Sequence, residues 1–311
     1  MESYDDWRNI PVFAQGSTLA LGAFDGLHLG HIAVLKAAQA AKPDARLAVA
    51  AFEPPPKCYF AHKDQAAFRL NTPRLRAERA ADVGAQLMFA IGFDQAMAAM
   101  TAQAFIQDVI VAHLAPVHIT IGHDFAFGAG REGNGDVLKR LGQELGFGVT
   151  IVEPVLDHTG TRYSSTRVRE ALKAGHLALA SALLGRPWRV EGVVVDGQKR
   201  GRTIGFPTAN LYLGDQLAPR FGVYAVRVQV AGTQIWHNGV ANFGRTPTTG
   251  LREPLLEVHL LDFAGDLYGQ TLEIGLQAFL RPEMTFSGLD ALTAQINEDV
   301  AQARVILSVV H

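Results

Sequence analysis

The chain has 311 residues, 48% of them hydrophobic and 19% charged, enough to bury one large core or two modest ones. Its 28 basic and 30 acidic side chains give a formal charge of −2 with no dense Lys/Arg run, which leaves no electrostatic footprint for a nucleic-acid partner. The single cysteine, Cys58, excludes an internal disulfide, no run approaches the roughly 20 apolar residues of a bilayer span, and the start M-E-S-Y-D-D-W-R-N has neither a basic region nor an apolar signal core, so a two-domain cytoplasmic protein with no membrane partner is expected.

Thr18 to Phe24 is a short apolar run bounded by turn formers and reads as a buried strand. From His28 the pattern becomes helical, with Ile32, Val34, Leu35 and Ala38 apolar. Between them, Gly22 and Gly26 let the backbone bend and approach a ligand closely, and the helix start points unpaired N–H groups and its positive dipole end at an anion. His28 and His31, three apart, share one face of that first turn, where both imidazoles can donate to one phosphate.

Further strands are expected at Leu47 to Phe52, Leu87 to Gly92, Val117 to Gly122 and Val149 to Val155, with helices starting at Pro73 and covering Ala96 to Leu114. This alternation predicts a doubly wound parallel α/β sheet, whose ligands bind beyond the carboxyl ends of the strands. The unusual residues lie in those loops: Asp25, Gly26 and His28; Glu53 with Pro54, Pro55 and Pro56; His123 to Gly128; and Tyr163 to Thr166. Ser165 and Thr166 precede a helical segment, Arg167 to Ala174, and read as caps. Arg167 and Arg169 put positive charge at that helix start, which suits a nearby triphosphate.

The stretch G-A-F-D-G-L-H-L-G-H from Gly22 to His31 carries the H-x-G-H signature and resembles the FMN adenylyltransferase module of bacterial bifunctional riboflavin kinase/FAD synthetases; Gly122 to Gly128 and Ser164 to Arg169 also match that family. The resemblance implies an ATP site formed by Gly22, Phe24, Asp25, Gly26, His28, His31, Ser165, Thr166 and Arg169, with His28 and His31 catalytic and Asp124 and Phe125 binding FMN. Two departures stand out: Pro55 replaces the family's usual histidine between prolines, and Tyr163 replaces the isoleucine before Ser164.

Beyond Gly185 the texture changes to short alternating runs, at Arg189 to Val195, Val223 to Val230, Gln234 to Val240 and Leu255 to Phe263, separated by Gly and Pro turns. An antiparallel β-barrel is predicted, followed by a terminal helix over Ser287 to Val309 that is capped by Ser287 and has Leu289, Leu292, Ile296, Val300 and Val305 on its inner face. Gly197 to Leu211 reads G-Q-K-R-G-R-T-I-G-F-P-T-A-N-L: a glycine-rich, basic turn suited to phosphates, then Thr208 and Asn210 two apart in extended chain, their oxygens facing one way and fit to share Mg²⁺.

That string resembles the riboflavin kinase signature, which implies a kinase ATP site at Gly197, Arg200, Gly201, Arg202, Gly205, Pro207, Thr208 and Asn210, with Thr208 and Asn210 as the metal ligands. In L-E-V-H-L-L-D-F, Glu257 matches the family's general base toward the ribityl 5′-hydroxyl, while His259, Asp262 and Asp266 read as structural. In N-G-V-A-N-F-G-R-T-P-T, Thr246 stands where the family has arginine, and Arg245 is one position early. The resemblance implies an adenylyltransferase domain over 1–184 and a kinase domain over 185–311, with ATP, riboflavin and FMN as substrates, Mg²⁺ as cofactor and nothing that indicates an oligomer. A kinase-only chain and a non-catalytic flavin sensor are the rival readings.

Overall fold

The computed structural model describes residues 1–60, 68–196, 205–245 and 254–309. These divide into two compact units: Met1–Ala66 with Pro73–Ser164, and Ala67–Thr72 with Ser165–His311. The family pattern suggests a boundary at 184/185, whereas the contacts of the chain divide it at 164/165 and add a short excursion from the amino-terminal half to the second unit.

The first unit is built on a parallel sheet of β1 (Glu2–Tyr4), β2 (Thr18–Leu21), β3 (Leu47–Glu53), β4 (Leu87–Gly92), β5 (His118–Gly122) and β6 (Gly148–Val152), in the order β1-β4-β3-β2-β5-β6. All four residues of β2 are buried, as are six of the seven in β3, as expected for strands covered on both faces. Alternation along β3 sends Ala48, Ala50 and Phe52 into one core and Leu47, Val49 and Ala51 into the other. Helices α1 (Leu29–Ala41), α2 (Pro56–Phe60) and α3 (Pro73–Asp82) follow the first strands, and α1 buries Ile32, Val34, Leu35 and Ala38, the four residues its sequence pattern singles out.

One local expectation is corrected. The run Ala96 to Leu114 is broken: α4 (Gln95–Ala99) stops at Met100, whose backbone is extended, and Thr101 caps the short α5 (Ala102–Ala104), which leads into a π-helix over Phe105–Leu114. The Thr101 hydroxyl takes the Ala104 N–H at 3.1 Å, a side-chain bond that competes with helix continuation. The start of the chain also contributes structure, since β1 pairs in parallel with β4. Helix α6 (Gly135–Leu145) connects β5 to β6.

The second unit holds α7 (Ser165–Ala174), α8 (Leu177–Leu184) and a closed antiparallel barrel of β7 (Trp188–Val195), β8 (Ala209–Tyr212), β9 (Gly222–Val230), β10 (Trp236–Gly244), β11 (Leu255–Leu260) and β12 (Thr271–Arg281), ordered β10-β11-β8-β7-β12-β9. Helix α8 packs on β7 and β12, which explains why Ser165–Leu184 groups with the barrel. Residues 68–72 join it too: Trp188 Nε1 donates to the Leu70 carbonyl at 2.6 Å, Leu217 N to the Arg69 carbonyl at 2.8 Å, and Arg69 pairs with Asp215.

The terminal helix α9 (Leu289–Val309) lies on the outside of the barrel, with Ala303 and Leu307 against Val223, Ala225 and Val240. Its inner face differs from the expected stripe. Leu289 and Val305 are exposed at 66% and 69%, while Asp299 is buried, because Arg281 clamps its carboxylate with bonds of 2.8 to 3.2 Å. The helix begins after Gly288, whose carbonyl accepts the Leu292 N–H, so Ser287 is not its cap.

Candidate active sites

In the first unit the strand order reverses between β2 and β5, which are neighbours at the centre of the sheet. At such a point the crevice beyond the carboxyl ends is the natural ligand position. The β2 exit carries Gly22 to His31, and the β5 exit carries Asp124 and Phe125.

Three left-handed or near left-handed positions shape the first loop: Phe24 (φ 49°), Gly26 (φ 86°) and Leu27 (φ 43°). Phe24 and Leu27 are fully buried, so the core holds the turn in place. Asp25, at 4% exposure, is enclosed with them. His28 is the N-cap of α1, and its Nδ1 accepts the His31 N–H at 3.3 Å, which leaves Nε2 to carry the ring proton. Its ring stacks on His31 with centroids 3.7 Å apart, and His31 meets the Phe24 ring edge-on at 5.3 Å. The two imidazoles therefore lie together at a helix N-terminus, as their spacing predicts. Gly30 allows this arrangement: a Cβ there would lie 3.1 Å from the His28 ring and 3.3 Å from Tyr163 Cβ, so the unusual Tyr163 flanks the helix start.

In the loop after the neighbouring strand β5, Phe125 stacks on the buried Phe127 at 5.7 Å and Asp124 is exposed, 3.5 Å from Arg162. Glu53, at the end of β3, pairs with the buried Arg76 at 2.9 Å, and Pro54 to Pro56 lead directly into α2. Ser165 and Thr166 are not caps but the first two residues of α7, which leaves Ser164 at the position before the helix. Arg169 is buried, its Nε donating to the Phe68 carbonyl at 3.0 Å and its guanidinium 3.5 Å above the Phe68 ring.

In the second unit, Glu257 on β11 lies directly opposite Asn210 on β8 and Asn242 on β10. Directly paired residues project to the same face. That face is the outer one, because the alternate residues Leu211, Leu256, Val258 and Phe243 fill the barrel. Asn210 is 7% exposed, and burial, with the Glu283 charge added, raises the Glu257 carboxyl above the usual carboxylate range. Thr208 immediately precedes β8, where the neighbouring Pro207 carbonyl is held by His259 Nδ1 at 2.8 Å. His259 thus has the structural role its sequence context suggests, and Asp262 likewise makes a two-pronged pair with Arg304 at 2.7 and 2.8 Å. Gly205 is exposed in a left-handed turn, whereas Gly197, Arg200, Gly201, Arg202 and Thr246 lie outside the described residues.

Residues 11–167 match the FAD synthetase family and residues 184–307 match the riboflavin kinase family. A bifunctional riboflavin kinase/FMN adenylyltransferase of Escherichia coli strain K12 is 45% identical over 293 residues, 93% of this chain and 92% of its own. The chain belongs to the bifunctional riboflavin kinase/FMN adenylyltransferases. This enzyme phosphorylates riboflavin with ATP to FMN, then adenylylates FMN with ATP to FAD and pyrophosphate. A relative of the same description from Listeria monocytogenes is 36% identical over 98% of this chain and 95% of its own. A crystal structure described as a macrolide-efflux protein from Streptococcus pneumoniae shares the fold with a TM-score of 0.84, at 31% identity over 97% of this enzyme and 98% of that chain. Among the described residues of the enzyme no helix is long and apolar enough to cross a membrane.

The oxygens of Thr208 and Asn210, beside a desolvated carboxylate, form a hard donor set that fits Mg²⁺. Among the described residues no group of three or more His, Cys, Asp or Glu could hold a metal, so a cation there would complete its shell with phosphates and water. Sequence reasoning missed Asn242, which lies inside a family motif but stands out only once the register pairs it with Glu257. The adenylyltransferase loop itself gives a stability test. Gly26→Ala places a Cβ at φ 86° and is expected to cost about 1–2 kcal/mol, read as a lower urea midpoint for the first unit.

Proposed function

We propose that the amino-terminal site, assigned to residues 1–184, uses His28 and His31 to stabilise adenylyl transfer, and that the site in 185–311 uses Glu257 as general base. In the first, an FMN phosphate oxygen bonds to the α-phosphorus of ATP while the α–β bridging bond breaks and pyrophosphate leaves with the electron pair. The two imidazoles and the N-terminus of α1 offset the charge that builds on the α-phosphoryl oxygens. Gly22, Phe24, Asp25 and Gly26 shape the phosphate cradle, Asp124 and Phe125 receive FMN, and Ser165, Thr166 and Arg169 complete the ATP contacts by family resemblance.

In the second site Glu257 takes the proton of the ribityl 5′-hydroxyl, the oxygen attacks the γ-phosphorus, and ADP departs. Thr208 and Asn210 would hold Mg²⁺, which when bound supplies charge neutralisation across the transferring phosphates. Gly197, Arg200, Gly201, Arg202, Gly205 and Pro207 are assigned to the nucleotide by the signature. The observation that carries this reading is the register that sets Glu257 opposite Asn210. The family matches, ending at 167 and beginning at 184, support the division of labour. A cytoplasmic setting is part of the proposal and is supported by the lone Cys58.

Incubation with riboflavin, ATP and Mg²⁺, with flavins separated over time, is expected to show FMN first and FAD after it. FMN without FAD would favour a kinase-only chain, and no turnover would favour a sensor.

A further inference from the structure

The end of β12 brings a second carboxylate to the kinase face. The Arg281 carbonyl lies against Gly222 at the start of β9, so the chain crosses the end of that strand toward β10. The Glu283 carboxylate then occupies the space that a Cβ on Gly244 would take. Gly244 is two residues from Asn242, so its side-chain direction is the face shared by Asn242, Glu257 and Asn210. The Glu283 charge is felt at Glu257. Among the described residues no Lys or Arg pairs with Glu283, and its nearest basic neighbour in sequence, Arg281, is engaged by Asp299. Two carboxylates converging on one face, with no Lys or Arg paired to Glu283 among the described residues, leave acceptor oxygens there for a substrate that donates hydrogen bonds.

An ionised carboxylate is an acceptor only, and it repels the phosphates of ATP. Its complement at this site is a neutral group rich in hydroxyl donors. We propose that Glu283 binds the ribityl chain of riboflavin, accepting hydrogen bonds from its hydroxyls and orienting the 5′-hydroxyl toward Glu257. The inference rests on Glu257 marking the kinase site. Gly244 is then required because any larger residue would push the Glu283 carboxylate off this face.

Glu283→Ala is expected to raise the KM for riboflavin ~10-fold or more, the scale of a hydrogen bond to a charged group, with the KM for ATP unchanged. Gly244→Ala should act in the same direction and add nothing in the Glu283→Ala background. Inhibition by lumiflavin, which lacks the ribityl chain, should be the same for parent and variant. An unchanged KM for ATP in riboflavin phosphorylation reports that the barrel unit of the variants is folded. A riboflavin KM within twofold of the parent would overturn the proposal, and so would an equal weakening of lumiflavin, which would move the contact to the ring. If Glu257→Gln still makes FMN, the site assignment itself fails; if that variant is inactive while Glu283→Ala matches the parent, only the role of Glu283 fails.

Discussion

His31→Ala is expected to lower FAD formation at least ~100-fold, the loss that follows removal of one preorganised donor, while riboflavin phosphorylation is nearly untouched. The substitution isolates the imidazole. The cap of α1 is a bond from the His31 backbone N–H to His28 Nδ1, which alanine retains, so the helix start stays in place. What disappears is the ring stacked on His28 at 3.7 Å and braced edge-on by Phe24. The residue is only partly buried, so little packing is lost with it. His28→Asn keeps a side-chain acceptor at the cap and separates the capping role from the donor role. Equal loss of both activities in His31→Ala would refute two separate sites.

Glu257→Gln should show the reverse selectivity, with FMN formation falling by ~10²- to 10⁴-fold, the contribution typical of a positioned base. FAD synthesis from supplied FMN should be unaffected. The same change has a sign on stability. Burial first, and the Glu283 charge second, raise the Glu257 carboxyl above its ordinary value, so its favourable contribution is fully present below that ordinary value and is lost as pH rises through the raised one. At neutral pH the ligand-free parent therefore carries a destabilising charge that glutamine removes. The variant should melt higher than the parent at pH 7, and the difference should close as pH falls below the ordinary carboxylate range. An unchanged rate of FMN production would remove Glu257 as the base, and a lower melting point at pH 7 would show that its charge is compensated in the folded protein.

The expected stability cost and the proposed catalytic role of Glu257 have one origin. A carboxylate set among Asn210, Asn242 and Glu283 is poorly solvated and therefore avid for a proton, which is the property a base requires. The adenylyltransferase site is built differently, from two stacked imidazoles at a helix N-terminus. In the proposed mechanism one site removes a proton and the other only stabilises charge.

Periodicity and turn chemistry in the sequence were enough for the parallel sheet, the barrel and the four inward residues of α1, because a buried strand or helix face must be apolar at a fixed spacing. The short G-x-F-D-G-x-H-x-G-H and G-F-P-T-A-N strings pointed to the two candidate sites for a local reason: their turns and polar side chains lie within a few residues of one another. Tertiary structure alone decided what depends on distant neighbours. Asp299 is turned inward on α9 by Arg281, the Met100–Thr101 break is fixed by a competing hydroxyl, residues 68–72 join the barrel's unit, and Glu283 reaches the Glu257 face because β9 is crossed at Gly222. Apart from the Thr101 cap, which is local, a contact distant in sequence outweighs a local preference that is weak by itself, and such contacts leave no spacing in the chain to read.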